Sequence, residues 1–385
     1  MGHCGVRSCV VRIAHVSDCY APRTGGIETQ VAALAARQAA EGDDVRVITA
    51  TPGRDGVFAG DDVVAGITVH RVAARVPFEL PVHPRTGREV GALLDAREVD
   101  VVHVHAGVVS PFAWSSIRAA RRRGIPTLVT VHSVWGPMAA PGFALSDTLA
   151  RWTAWGATLS AVSGVAADRI ARAVPRAGAI LVVPNGIDPA QWSVTPQPGD
   201  PGLLRIVSVM RMAPRKRTQP LVRMIEEASA HLLGTAQVSA VLVGDGPERA
   251  GAERYVSRHG LDASIRFAGR LPPDRIRAAF ADADVFVQPS VKESFGLAAL
   301  EARTAGLPVV ARSQTGTTEF IRDGVEGLLA DDDIGMGRAL ARLGRDRDLL
   351  ARMAAHNRST MPAQAWPQVL VTVSEAYRAA GATGG

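Results

Sequence analysis

Residues 288–311, "QPSVKESFGLAALEARTAGLPVVA", contain the end of one predicted strand, a loop, a helix and a second predicted strand. The residues of "DVFVQPS" (284–290) and "LPVVA" (307–311) are typical of buried strands, and the segment between them has helical spacing and a glycine stop. Two acids interrupt this apolar stretch, Glu293 in the loop and Glu301 in the helix. Because a desolvated carboxylate costs free energy without a polar partner, we expect something polar to meet both.

Short β-branched runs alternate with longer helical patterns along almost the whole chain. Because strands that alternate with helices imply parallel sheets covered by helices on both faces, the sequence predicts an α/β fold. The predicted strands are 11–17, 44–50, 100–106, 126–132 and 179–185 in the first half, and 204–210, 238–244, 265–269, 284–290 and 307–311 in the second.

The length of 385 residues predicts two domains rather than one core. Residues 189–202, "PAQWSVTPQPGDPG", are rich in proline and glycine and are interpreted as a linker without regular structure. We therefore expect a first domain over 1–190 and a second over 200–362. A helical pattern over 363–380 follows the second domain and is expected to pack back on the first.

The composition narrows the class of protein. With 47% hydrophobic and 21% charged residues, the chain is globular, and no apolar run is long enough to predict a membrane span. Three cysteines without metal-ligand spacing fit a reduced, cytoplasmic setting. The net charge of +6 favours anionic partners such as nucleotide phosphates or an acidic lipid surface, whereas 5% aromatic residues and the lack of a known motif argue against nucleic acid.

Because ligands of open parallel sheets bind beyond the carboxyl ends of the strands, the residues that follow strands are the candidates for a site. Gly26 follows the first strand at a helix mouth, His132 ends a strand, and Arg211 and Lys216 follow another. Each has a second interpretation. Gly26 fits a turn that needs positive φ, His132 fits a core histidine, and Arg211 and Lys216 fit a solvated basic loop. Of 43 basic residues only Lys216 and Lys292 are lysines, which favours a function for Lys216.

His103 and His105 alternate along a predicted strand and therefore point the same way. Two histidines on one face could bind a metal, but no third ligand is evident, so packing is the favoured interpretation.

The helix mouth between the two glutamates suits an anion. We expect unpaired amides there because they open the helix, and Gly296 removes the side chain where an anion would approach. Carboxylates suit vicinal hydroxyls, so an acid, an amide cradle and a second acid in series match a nucleotide sugar. The amides are those of Ser294, Phe295, Gly296 and Leu297.

The segment "KESFGLAALE" after a strand that ends in "PS" resembles the E-x7-E signature of the retaining glycosyltransferases of family 4, which have the GT-B fold of two Rossmann-like domains facing an interdomain cleft. The resemblance covers nearly the whole chain. Further matching segments are "PRTGGIETQV" (22–31), "VPNGID" (183–188), "MRMAPRKR" (210–217), "VGDGPER" (243–249), "RFAGRL" (266–271) and "TGTTEFIRDGVEG" (315–327). Met210, Arg217 and Thr315 stand where the family often has glycine.

The resemblance implies a role for each candidate residue. Arg211 and Lys216 would bind the donor diphosphate, Glu301 the ribose hydroxyls and Glu293 the hydroxyls of the transferred sugar. Phe295, Gly296 and Leu297 would supply backbone amides. His132 would lie by the reacting sugar, and Gly26 would lie near the diphosphate and acceptor. Arg270 and Leu271 would flank the base.

These observations predict an enzyme that moves a hexose from a nucleotide-diphosphate sugar to an acceptor hydroxyl, on a lipid, a glycan or a small molecule, with retention of configuration. We expect neither a metal nor a cofactor beyond the donor. The alternatives are a nucleotide-sugar epimerase, a phosphorylase with pyridoxal phosphate, or a non-catalytic nucleotide-sugar-binding module. Arg118, Arg121 and Arg122 lie near one side of a predicted helix and suit either an anionic membrane or a solvated face.

Overall fold

The computed structural model describes residues 10–23, 25–75, 82–135 and 140–383. The chain forms two compact units, Met1–Gly186 with Trp366–Gly385, and Ile187–Ala365. Each unit is built on its own sheet.

The first unit contains an eight-stranded sheet in the order β3-β4-β2-β1-β5-β6-β7-β8. All pairs of neighbouring strands are parallel except β3 and β4. The strands are β1 (Arg12–Ser17), β2 (Asp44–Thr49), β3 (Ala59–Val64), β4 (Ile67–Val72), β5 (Val101–Ala106), β6 (Thr127–Val131), β7 (Thr158–Ala161) and β8 (Leu181–Val182).

Both faces of this sheet are covered, as expected for parallel strands. On β1, Ala14 and Val16 belong to one buried apolar cluster and Ile13 belongs to the other, because successive side chains point to opposite faces. The helices of the unit are α1 (Gly26–Ala40), α2 (Thr86–Asp95), α3 (Pro111–Arg121), α4 (Ala140–Ala150), α5 (Gly164–Ala173) and α13 (Trp366–Ala379). The C-terminal helix α13 packs in the same cluster as Ile13.

The second unit contains a six-stranded parallel sheet in the order β11-β10-β9-β12-β13-β14. Its strands are β9 (Leu203–Val209), β10 (Gln237–Val243), β11 (Ile265–Gly269), β12 (Val285–Gln288), β13 (Val309–Arg312) and β14 (Gly327–Ala330). Its helices are α6 (Pro189–Trp192), α7 (Thr218–His231), α8 (Arg249–Arg258), α9 (Pro273–Ala281), α10 (Leu297–Thr304), α11 (Asp333–Arg345) and α12 (Arg347–Ser359).

The expectation of a linker without regular structure over 189–202 is wrong at its start. Asp188 caps the short helix α6 by accepting a hydrogen bond from the amide of Ala190, and Pro189 occupies the first helical position, where its missing amide hydrogen is not needed.

Candidate active site

The second unit reverses its strand order between β9 and β12. The chain runs from β9 outward through β10 and β11, then returns to place β12 on the other side of β9. Loops that follow β9 and β12 therefore leave the sheet in opposite directions, which opens a crevice at the carboxyl ends of the strands. Arg211 and Lys216 follow β9, and Glu293 follows β12, so the topology brings these sequence candidates to one edge.

Lys216 and Glu293 are in direct contact. The Lys216 Nζ atom lies 2.5 Å from Glu293 Oε2, although 77 residues separate them in the chain. The Gln288 amide donates to the same carboxylate oxygen over 2.6 Å. Glu293 is only 9% exposed, so the ammonium and the amide together supply the polar partners that its burial requires. Gln288 was missed by the sequence analysis because, as the last residue of a buried strand, it looks like part of the core.

The loop after Glu293 is held by close backbone packing. Gly296 has φ +97°, a conformation that favours glycine, and a Cβ atom there would lie 2.7 Å from Thr317. Gly316 donates its amide hydrogen to the Glu293 carbonyl over 3.0 Å, and a Cβ on Gly316 would lie 2.0 Å from the Ser294 carbonyl oxygen. In the family this segment usually begins with a double glycine, and the second of the two, Gly316, is needed for this approach.

The first glycine of that pattern is replaced by Thr315, whose side chain fits without entering the site. Its hydroxyl donates to the Arg312 carbonyl over 2.8 Å and contacts the Thr317 hydroxyl at 2.7 Å. Thr315 is buried, so the replacement stabilises the loop from inside.

Helix α10 begins at Leu297 with Gly296 at its N-cap, so Ser294 and Phe295 lie in the loop ahead of it. No side chain caps this end of the helix. The Phe295 ring is buried against Phe320, 5.4 Å between ring centres, so only the backbone of Phe295 is available to a ligand.

Glu301 is the fifth residue of α10, just past its first turn, and is partly buried. Burial raises the pKa of its carboxyl to about 8. No hydrogen-bond or ion-pair partner for this carboxyl is found in the described part of the chain. The group is therefore protonated at neutral pH and able to bond with hydroxyls of a ligand.

Arg211 is exposed on the loop after β9. This loop packs tightly against the one after β10, since Cβ atoms on Gly244 and Gly246 would lie 1.8 Å from the Met210 carbonyl oxygen and 2.4 Å from that of Met212. Met210, at a position where the family usually has glycine, is buried.

Arg217 is not the solvated loop residue that its sequence neighbourhood indicates. Its φ of 64° is left-handed, which explains why glycine often stands there, and its guanidinium forms an ion pair with Asp333. Arg270 and Leu271 follow β11, two strands away from β9 at the same edge, where Arg270 is exposed and Leu271 half-buried.

The remaining candidates, Gly26 and His132, belong to the first unit. That sheet reverses its order between β1 and β5, and Gly26 begins the helix that follows β1. Gly25, which precedes it, has an extended φ of −175°, so a positive φ does not explain that glycine.

His132 follows β6, and its Nε2 atom lies 3.0 Å from Nδ1 of His105. Burial lowers the pKa of His132 to about 4, and its ring is hydrogen-bonded to the Asn185 side chain. Both histidines line a small cavity with Asn185. Asn185 comes from "VPNGID", a segment that the sequence analysis matched to the family without assigning it a role.

The expectation that His103 and His105 have no third histidine beside them is wrong. His15 on β1 pairs in register with His103 on the neighbouring β5, and its Nδ1 atom lies 3.0 Å from His105 Nε2. The three rings are buried and close enough together to hold a metal ion. His15 is 88 positions from His103, so sequence spacing gives no sign of this cluster.

Family models match both units. Residues 24–191 match Glycosyltransferase Family 4, and residues 197–360 match Glycosyl transferases group 1. The chain is 30% identical to the D-inositol 3-phosphate glycosyltransferase of Acidothermus cellulolyticus over 86% of its own length and 81% of that protein. The chain belongs to the family 4 glycosyltransferases.

A second relative of this glycosyltransferase is the GDP-mannose-dependent alpha-mannosyltransferase of Mycolicibacterium smegmatis, with 27% identity over 93% of this chain and 95% of that protein. Anabaena HepE, solved in complex with UDP and glucose, matches the fold with a TM-score of 0.70 and 19% identity over 96% of this chain and 99% of HepE. The predicted GT-B class is thereby confirmed, and so is the prediction of an enzyme rather than a binding module. Within the described residues, the glycosyltransferase has no helix of the length and apolar character needed to span a membrane.

Proposed function

We propose that this glycosyltransferase moves a hexose from a nucleotide-diphosphate sugar to an acceptor hydroxyl with retention of configuration. The proposal rests on the contact between Lys216 and Glu293. This contact lies beside the start of α10, at the point where the second sheet reverses its strand order. A cation, a carboxylate and the start of a helix together match a diphosphate joined to a polyhydroxylated sugar.

The donor would occupy the second unit in an extended manner. Arg211 and Lys216 would neutralise the diphosphate, and the amides of Phe295, Gly296 and Leu297 would bind its oxygens. Glu301, which lies beyond the helix mouth, would take the ribose hydroxyls. Arg270 and Leu271, two strands away from β9, would flank the base.

Catalysis would consist mainly of stabilising the negative charge that grows on the departing diphosphate. Arg211 and Lys216 supply that charge compensation, so we propose a reaction without a metal. The sequence "DADVF" (282–286) has the D-x-D form sometimes used to hold a metal on a nucleotide, but its Asp284 forms an ion pair of 2.8 Å with Arg205. The departing phosphate would accept the acceptor's proton on the same face of the sugar, and Glu293, paired with Lys216, would hold the sugar hydroxyls.

A panel of nucleotide sugars tests the donor class. It should include GDP-mannose, on which one relative depends, as well as uridine and adenosine diphosphate sugars. The correct donor should raise the melting temperature by mass action and should be slowly hydrolysed to a nucleoside diphosphate without acceptor, in the presence of EDTA. A melting temperature that none of the panel raises would contradict the proposal. Proton NMR of the product's anomeric signal, compared with that of the donor, tests retention.

We further propose peripheral contact with an anionic membrane, which a lipid acceptor would require. Leu145 and Leu149 lie four residues apart on α4 and are 60% and 78% exposed, and Arg118 on α3 and Arg122 directly after it are exposed as well. Exposed apolar and basic side chains are the combination that binds anionic interfaces. Arg121 does not contribute, because it donates to the carbonyls of Trp155 and Ile125.

Flotation with vesicles tests this contact. The wild type should float with vesicles that contain anionic lipid, less so at high salt, and replacing both Leu145 and Leu149 with Asp should abolish flotation. Leu233→Asp is the control, since Leu233 is 80% exposed in the second unit and should not affect binding. Equal flotation of all three proteins would contradict the proposed surface.

A further inference from the structure

A continuous chain of hydrogen bonds runs through the interior of the first unit and ends at His132. It passes between β1, β5, β6 and β7 and involves side chains of the two helices α1 and α13. The contacts measure between 2.7 and 3.2 Å. In order, its members are His132, His105, His15, Gln38, Tyr377, His103, Thr130 and Ser160.

The far end of the chain fixes the direction of its protons. Ser160 contacts the Val129 carbonyl oxygen at 3.2 Å, and a carbonyl can only accept, so the Ser160 hydroxyl donates there. The Thr130 hydroxyl, 2.7 Å from Ser160, must then donate to Ser160. Thr130 has thereby used its proton and must accept one from Nε2 of His103, 2.7 Å away.

The proton directions are fixed in the same way at Tyr377 on α13 and Gln38 on α1. A neutral His103 has one ring proton, and it uses this proton on Nε2 to donate to Thr130. Its Nδ1 atom therefore accepts from the Tyr377 hydroxyl at 3.0 Å. The Tyr377 oxygen in turn accepts from the Gln38 amide nitrogen at 3.1 Å. The Gln38 oxygen therefore faces His15 and accepts from its Nε2 atom at 2.7 Å. The orientation of the Gln38 amide thus follows from the Val129 carbonyl.

The last two steps reach His132. His15 Nδ1 accepts from His105 Nε2, and His105 Nδ1 accepts from His132 Nε2, both over 3.0 Å. Neutral rings are required throughout, and burial lowers the pKa of each of these histidines, including His103. The proton of His132 is thereby placed on Nε2, and Nδ1 is the nitrogen left for the hydrogen bond with Asn185.

A metal ion in the cluster of His15, His103 and His105 is the competing use of these rings. All six of their ring nitrogens already have a hydrogen-bond partner within the unit. A metal would have to replace several of these bonds, so the hydrogen-bonded chain accounts for the cluster better.

We propose that this chain positions His132 for the reaction: it holds the ring neutral, with its proton on Nε2, and presents Nδ1 as a hydrogen-bond acceptor. The inference rests on the proposed function and on the place by the reacting sugar that the family resemblance implies for His132. Nδ1 of His132 would then accept a hydrogen bond from a sugar hydroxyl. Before the donor binds, the Asn185 side chain would take the place of that hydroxyl. His105, His15, Gln38 and Tyr377 are positioning residues that act through His132.

The wild-type protein provides a direct test that does not depend on activity. Long-range proton–nitrogen NMR of the full chain labelled with ¹⁵N-histidine distinguishes the two neutral tautomers, and the signals are assigned by their loss in His15→Gln, His105→Gln and His132→Gln variants. All three rings should carry their proton on Nε2 at pH 7. A proton on Nδ1 of His132, a mixture of tautomers, or stoichiometric zinc in the purified protein would overturn the proposal.

Tyr377→Phe interrupts the chain far from His132. Without the hydroxyl, the Gln38 amide loses the partner that orients it, so His15 and His132 should become mixtures of tautomers. The apparent affinity for the donor should fall by about twofold or more, in proportion to the fraction of the wrong tautomer, and kcat/KM should fall with it. Tyr255→Phe, which removes the hydroxyl that donates to Glu226 in the second unit, should change neither quantity.

If the Tyr377 variant does not fold, Ser160→Ala provides the same test. It removes the donor to the Val129 carbonyl, so the proton directions along the chain should no longer be fixed. Unmixed tautomers in a folded variant of either kind would contradict the positioning role. Normal tautomers in the wild type together with no glycosyl transfer would instead contradict the proposed function and leave the chain in place.

Discussion

Lys216 Nζ lies 2.5 Å from Glu293 Oε2, and this ion pair joins the loops that follow the two central strands of the second sheet. The pair is mostly buried, with 22% of the lysine side chain and 11% of the glutamate side chain exposed. Lys216 is therefore held at the reversal point before any donor arrives, and the buried Glu293 side chain has a cationic partner.

Replacing Lys216 with Ala should reduce both turnover and stability. Loss of the charge that compensates the leaving diphosphate should lower kcat by about 10²-fold. Glu293 would keep Gln288 but lose its cation, which should cost roughly 1–3 kcal/mol in the free energy of unfolding. Steady-state kinetics and urea unfolding measure the two effects. Lys292→Ala is the control, because Lys292 is exposed and should affect neither; unchanged turnover in the Lys216 variant would refute the assignment.

The affinity for the nucleoside diphosphate should rise with pH between 7 and 8. Burial raises the pKa of Glu301 to about 8, so the free protein carries a protonated carboxyl at pH 7. Ribose hydroxyls that donate to the carboxylate favour its ionised form, so binding should release a proton, with affinity gaining up to about tenfold per pH unit below 8 and levelling off above it. Calorimetry at pH 7 and 9 measures this, and Glu301→Gln should remove the dependence. A flat profile for the wild type would contradict the role of Glu301.

Gly296→Ala should weaken donor binding and lower stability. The residue would be forced into a left-handed conformation at a cost of roughly 1–2 kcal/mol, and its Cβ atom would lie 2.7 Å from Thr317, which would displace the loop ahead of α10. Gly324→Ala separates the two effects, because Gly324 has φ +79° with open space around it and should show the conformational cost alone. Thermal unfolding and calorimetry with a nucleoside diphosphate measure the difference; equal affinity in the two variants would argue against the helix mouth as the anion site.

The free energy of unfolding should fall as the pH drops from about 6.5 to 4. Burial lowers the pKa of His15 to about 4, so below pH 6.5 the unfolded chain binds a proton there while the native protein does not. This group alone would remove up to ~3 kcal/mol over that range, and His103, His105 and His132 act in the same direction.

Urea unfolding at pH 7 and pH 5 checks this dependence. His15→Gln should reduce the difference between the two pH values, whereas His259→Gln, a partly exposed histidine beside Glu226, should keep it. A wild-type stability equal at both pH values would mean that the buried histidines do not stay neutral.

The alternation of strands and helices was enough to predict both parallel sheets, because buried parallel strands are continuous apolar runs. The antiparallel pair β3 and β4 was missed, since "AGDDVV" on the exposed edge strand β3 carries no such run. The strands β7 and β14 were missed as well, because their sequences "TLSA" and "GLLA" contain no run of β-branched residues.

The sequence identified the candidates that follow strands but not how they meet. Lys216 and Glu293 come together because β12 returns beside β9, a property of strand order that no local pattern contains. The sequence located the start of α10 to within one residue, and the left-handed backbone of its N-cap Gly296 appears only in the structure. The histidine cluster depends on the register of β1 against β5, which likewise appears only in three dimensions.

A crystal structure with bound uridine or guanosine diphosphate tests the central claim most directly. The account predicts phosphate oxygens within hydrogen-bond distance of Lys216 Nζ and of the Gly296 and Leu297 amides, with the ribose hydroxyls on Glu301. A diphosphate bound at another edge of the second sheet, with the Lys216–Glu293 pair undisturbed and solvent at the mouth of α10, would contradict it.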